Sequence, residues 1–118
     1  MKLADAIVAC IWIAAAGFAL AAEAQALSAR QEEGLQAYRA HCRYCHLEHG
    51  TGTMMLERRL GKENALLEQR TNLETGYVRA VVRGGLKSMP ALTRVEVTDA
   101  ELDAIAAYLT RTNPQAQR

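Results

Sequence analysis

From Ser28 onward the apolar positions recur with the period of a helix, and no stretch shows the strict alternation that a half-buried strand requires. Ser28 and Gln31 form a capping-box pair that predicts a helix running toward residue 42. On it Leu35, Tyr38 and Cys42 fall at i, i+3 and i+7 and mark one apolar face. Gly34 sits one turn before Tyr38; glycine inside a helix costs about 1 kcal/mol against alanine, so a second helix passing close by is expected there. "HGTGT" reads as a glycine-rich loop, "MMLERRL" as a short helix stopped by Gly61, and "NALLEQR" as another short helix. "YVRAVVR" places Tyr77, Val78, Val81 and Val82 on one face, with Gly84 and Gly85 as its C-cap. Pro90 keeps "LKSMPALT" extended. The last helix opens on a second capping box, Thr98 with Glu101, and carries Leu102, Ile105, Ala106 and Leu109 as its stripe. The pattern predicts a single all-α domain over residues 27–112, followed by a loose polar tail at 113–118.

The first residues obey a different rule. Lys2 precedes the apolar run "LADAIVACIWIAAAGFALAA" and then "AAEAQA", the layout of a secretory signal cleaved after Ala24 or Ala26. The rival is a retained anchor: Ala6 to Ala22 carries no charge, but it is alanine-rich and at the lower limit of about 17 residues for spanning a bilayer. Cys10 lies inside the run, which continues past it, so it reads as a signal residue and not as a lipidation site. Export places the domain in the periplasm, with membrane contact only if the signal is retained.

Composition then sharpens the question of what fills the core. Trp12 and Phe18 both lie in the signal, leaving tyrosine as the only aromatic of a domain at the size where a hydrophobic core alone is marginal. A cofactor or metal would supply the missing mass. The net charge of +1 gives no reason to expect nucleic acid.

"HCRYCHLEHG" (41–50) holds the candidate chemistry. Cys42, Cys45 and His46 make C-x-x-C-H, the attachment signature of c-type haem. The spacing on a helical turn matches two thiols to the two vinyl groups of haem, and His46, next in the chain, is carried to the iron. Zinc needs a second ligand pair further along, and no Cys or His follows His49. A thioredoxin-like dithiol needs a βαβ setting that the pattern lacks. Candidates for a sixth ligand are His41, His49, Met54, Met55 and Met89. His49 is too near His46 to reach the other face, and Met54 and Met55 sit on a short helix where methionine is usually core filler. Met89 lies in the extended segment before Pro90 and is favoured. His41 and His49 are then expected at the surface near the rim.

In this order these features resemble the small class I cytochrome c family, from about Ser28 to Arg111: Gly34 with Tyr38, "CRYCH", the glycine loop, "GGLKSMP" and a C-terminal helix bearing Tyr108. The resemblance implies first and last helices that cross, Tyr108 meeting the Gly34 region, and one covalently bound haem c in the core. One departure stands out. Many members have proline after the second loop glycine and a nearby carbonyl that bonds the proximal histidine; here Gly52 is followed by Thr53 and Met54.

With His46 and Met89 filling both axial positions no site is left for substrate, and the chain shows no separate catalytic constellation. The expected function is single-electron transfer and not enzymatic catalysis. Its partners would be redox proteins: a dehydrogenase or flavoprotein as donor, another cytochrome or an oxidase as acceptor. "RGGLKSMPALT" also resembles the cytochrome subunits of flavocytochromes that oxidise para-substituted phenols. The alternative is a gas-binding or sensor haem with a displaceable sixth ligand. Arg79, Arg83, Lys87 and Arg94 surround the Met89 segment, as a solvated face or as a basic rim that steers an acidic partner.

Overall fold

The computed structural model describes residues 26–116; the expected signal at 1–24 and Cys10 lie outside them. Among the described residues five α-helices come in order: α1 Ala29–His41, α2 Arg43–His46, α3 Thr51–Leu60, α4 Thr75–Gly84 and α5 Asp99–Leu109. Two 3-10 turns, Lys62–Asn64 and Leu67–Gln69, separate α3 from α4. Among the described residues there is no strand beyond one isolated bridge between Leu86 and Met89, as the all-α pattern predicts. No helix of the described residues is long and apolar enough to cross a membrane.

Both capping boxes form. Ser28 accepts from the Gln31 amide (3.2 Å) and Gln31 reaches back to the Ser28 amide (3.0 Å). Thr98 and Glu101 repeat the exchange at the start of α5, at 3.2 and 2.8 Å. Each box satisfies two amides that a helix start leaves without partners, which fixes where α1 and α5 begin.

α1 and α5 cross at Gly34. A Cβ on Gly34 would stand 2.0 Å from the Ala104 carbonyl oxygen and 2.8 Å from the Tyr108 Cβ, so the two backbones touch where only glycine fits. One turn on, the Tyr38 and Tyr108 rings pack with centroids 5.8 Å apart and planes tilted by 47°, the offset geometry that aromatic quadrupoles favour. Tyr38 and Ile105 are fully buried, and Leu102, Ala106 and Leu109 join them from the predicted stripe of α5. α4 contributes Val78 and Val82.

Two segments differ from the sequence expectation. The helix containing "MMLERRL" starts earlier, at Thr51 with Gly50 as its N-cap, so half of the expected loop is helical. "NALLEQR" yields only a 3-10 turn, Leu67–Gln69. The carbonyls at its end and just beyond it bond to side chains that follow α5: Glu68 to Arg111 (3.0 Å), Arg70 to Thr112 (3.0 Å) and Leu73 to Asn113 (2.8 Å). Asn113, at the start of the segment expected to be a loose polar tail, is accordingly buried.

The crossing generates a paired test. Gly34→Ala gains helix propensity but drives a methyl into a carbonyl; overpacking of this kind costs about 1–3 kcal/mol. The melting temperature should fall by about 4–8 °C per kcal/mol for a domain of this size. Gly76→Ala in α4 meets nothing within 4 Å and should leave stability unchanged or raise it. Thermal melts of the two variants decide; equal melting temperatures would remove the close approach from the account.

Candidate functional site

Cys42 caps the end of α1, and the chain turns at once into α2, with the amides of Cys45 (3.2 Å) and His46 (3.1 Å) both donating to the Cys42 carbonyl. That single turn sets Cys42, Cys45 and His46 along one edge. Cys42 is half-buried, Cys45 exposed, and neither is in a disulfide. Burial, and then the neighbouring Cys45, push the Cys42 thiol up to about 11.

The chain then doubles back through His49, which has a φ of 65°, so that the start of α3 lies against the imidazole. A Cβ on Gly52 would stand 2.9 Å from His46 Cε1 and 3.1 Å from Nδ1, leaving the ring no room on that side. His46 is buried, and burial lowers its pKa, which favours the neutral imidazole that a metal ligand must be. Its Nδ1 is buried without a hydrogen-bond partner, and so is the hydroxyl of nearby Thr53. No carbonyl of this loop therefore accepts from the ring in the structure, although one was expected to orient it. Nε2 is the nitrogen left to meet a metal.

Met89 comes from the opposite stretch of sequence. Leu86 and Met89 exchange two backbone hydrogen bonds (3.0 and 2.9 Å) around a tight turn in which Lys87 has a φ of 56°. Gly85, at φ 73°, closes α4 just behind it; a Cβ there would stand 2.8 Å from the Met89 carbonyl. The turn is the reason for glycine at 85.

These pieces face one cavity of about 960 Å³. Cys42, Cys45, His46 and Met89 all line it, together with Tyr38, Ile105, Leu109 and the α4 face Tyr77, Val78, Val81 and Val82. Met54 and Met55 line it too, but half-exposed at the mouth and not as core filler. They lie on the helix that covers His46, whereas Met89 arrives on a separate segment. His41 stands at the cavity edge with Nε2 3.4 Å from Glu101, and His49 is exposed away from it. Among the described residues no group of three His, Cys, Asp or Glu side chains is arranged to hold a metal ion, so the zinc alternative has no donor set.

Charge around the cavity is one-sided. Arg58, Arg59, Arg70 and Lys87 line it, and no carboxylate does. Sequence reasoning missed the three arginines; the only signal was two adjacent cations on a short helix. The four cations around the Met89 segment, read as a solvated face or a basic rim, are not equivalent. Arg79 pairs with Asp103 at 2.7 Å, and Arg83 and Arg94 pair with Asp99 at 2.8 and 2.7 Å. Of the four, only Lys87 is left without an ion pair among the described residues. The partners of Arg79 and Arg83 stand on α5, too far along the chain for a local reading to pair them, whereas Arg94 and Asp99 are five residues apart.

The lining fits a large, flat, mostly apolar group that carries anionic substituents and takes thiol, imidazole and thioether donors. The comparisons agree. A family model described as Cytochrome C oxidase, cbb3-type, subunit III matches residues 29–109. The chain belongs to that family, one of class I c-type cytochromes. It is a haem-bearing electron carrier of that class. Comparison with curated proteins and with solved structures gives no match.

Asp99 yields a pH test. Its hydrogen bonds to Arg94 and then Arg83 hold its carboxyl below the usual range. A depressed folded-state pKa contributes stability above the unfolded value, roughly pH 4, and that contribution is lost as pH falls through the folded value. The gap in melting temperature between wild type and Asp99→Asn should be open at pH 7 and close in acid. A gap that widens in acid would contradict the pairing.

Proposed function

We propose that Cys42 and Cys45 hold one haem c through two thioethers, with His46 Nε2 and Met89 Sδ as the axial ligands. We further propose that the chain works in the periplasm, accepts single electrons from a dehydrogenase such as a flavoprotein, and passes them toward the respiratory chain. The observation that carries this reading is that one mostly apolar cavity gathers both thiols and the imidazole from one stretch of chain and the Met89 thioether from a distant one. When bound, the haem supplies a one-electron iron couple whose potential a thioether ligand raises. The chain's own residues exclude water from it through the Val78, Val82 and Ile105 walls and occupy both axial positions. The periplasmic reading rests on the signal-like sequence at 1–24, and an oxidase as acceptor is supported by the family description, which names an oxidase subunit.

The mouth of the cavity suggests how a partner docks. Met54, Met55 and Tyr77 are exposed beside Arg58, Arg59 and Lys87, an apolar centre within a basic rim. Such a rim raises encounter rates with an acidic surface and loses the effect as salt screens it over about 8 Å.

Two measurements test the reading. Replacing both Cys42 and Cys45 by alanine should abolish haem that survives denaturation, and the chain should lose cooperative melting because the cavity is left unfilled. A folded double variant that retains such haem would contradict the attachment. For docking, Arg58→Glu/Lys87→Glu should slow bimolecular reduction by an acidic redox protein about tenfold at low salt, with the difference vanishing at high salt. Rates independent of salt in both proteins would return these residues to a plain solvated surface.

A further inference from the structure

Arg83 leaves α4 next to Val82 and ties together three segments around Met89. Its Nη1 donates to the Leu92 carbonyl (3.1 Å) and the Thr93 carbonyl (3.2 Å). Its Nη2 donates to the Val97 carbonyl (2.9 Å) and to the Asp99 carboxylate (2.8 Å). The side chain is 21% exposed, so these charge-assisted bonds are mostly shielded from water. Its Nε is buried and unbonded, so the fork of the guanidinium makes all the contacts. Beside it the Leu92 amide donates to the Val82 carbonyl at 2.8 Å.

The segment that carries Met89 is therefore fastened on both sides. The Leu86–Met89 exchange closes it behind, and Val82 with Arg83 grips it at Leu92 and Thr93. Only Pro90 and Ala91 lie between, and proline fixes its own φ. Lysine could keep the charge and the Asp99 pair but could not span acceptors at 92, 93, 97 and 99, because it lacks the planar fork.

We propose that Arg83 is a positioning residue for the distal ligand: it grips residues 92–97 against α4 and the start of α5, and so holds the Met89 thioether at the cavity. This rests on the reading of Met89 as the sixth ligand. Arg79 provides the contrast. It stands one turn earlier on the same helix and makes a comparable ion pair with α5, to Asp103 at 2.7 Å, but has no hydrogen bond to the segment from 86 to 97.

An external ligand reaches the iron only from the fraction of molecules in which the sixth position is open, so its apparent affinity measures how firmly Met89 is held. The test is imidazole titration of the ferric holoprotein, at a temperature where melting curves show every variant folded. Arg83→Lys and Arg83→Gln should bind imidazole about tenfold more tightly than wild type, as the open fraction rises. Arg79→Gln should bind as wild type does. Amide exchange at Leu92 should accelerate in the Arg83 variants and not in Arg79→Gln, a readout independent of the iron. Met89→Ala should bind imidazole most tightly of all. Wild-type imidazole affinity in Arg83→Lys, or equal gains in Arg79→Gln and Arg83→Lys, overturns the positioning role while leaving the ligand assignment in place. Wild-type affinity in Met89→Ala overturns the ligand assignment itself, and the positioning role with it.

Discussion

The backbone contact of α1 with α5 at Gly34 is the constraint on which the rest of the domain depends. It brings Tyr38 to Tyr108 and aims Ile105 and Leu109 at the cavity. The segments just beyond the two helices then build the site. α1 runs directly into the turn bearing Cys42, Cys45 and His46, so their position is inherited from the crossing. α5 is followed by Arg111, Thr112 and Asn113, whose side chains hold residues 68–73 in place, and Leu67, Arg70 and Leu73 form part of the cavity lining. Tyr108 joins the two: its hydroxyl donates to Glu68 at 2.5 Å, and Arg111 lies 4.1 Å over its ring. Burial, with the Glu68 bond next, pushes its pKa up to about 12, so the hydroxyl remains a donor through the physiological range.

A second consequence concerns the core. Most of the buried apolar side chains sit along the α1–α5 seam and on the inner face of α4, and between them opens a cavity large for so short a domain. Small domains need something beyond apolar side chains to be stable. Membership of the c-type cytochrome family identifies that addition as haem, so binding of the cofactor and completion of the core become one event. The cations at the cavity, Arg58, Arg59, Arg70 and Lys87, make it complementary to an anionic group or an acidic surface.

The sequence revealed what local rules govern. Capping boxes at Ser28 and Thr98, the C-x-x-C-H turn and the helix stops at Gly61 and Gly85 were legible because each is decided within a turn or two of chain, and Gly34 stood out as a glycine inside a helix although its reason lies on α5. What escaped was decided across the fold. "NALLEQR" has a helical pattern, yet it yields only a 3-10 turn, and the Glu68 and Arg70 carbonyls at its end bond to side chains some forty residues away. Solvated face or basic rim could not be decided locally for Arg79 and Arg83, because Asp103 and Asp99 face them only once α4 and α5 have packed. The cavity-lining arginines were invisible for the same reason, and so was the pairless Nδ1 of His46, which depends on how the loop after it closes.

In the proposed site, folding presents the His46 imidazole and the Met89 thioether, from two separate stretches of chain, to a single iron. X-ray absorption at the iron edge of the ferric protein at neutral pH tests it most directly, because sulfur and nitrogen scatter differently at distinct distances. The proposed ligand set requires a single sulfur in the first shell among nitrogens. A first shell of nitrogen and oxygen alone would contradict it and leave Met89 a packing residue.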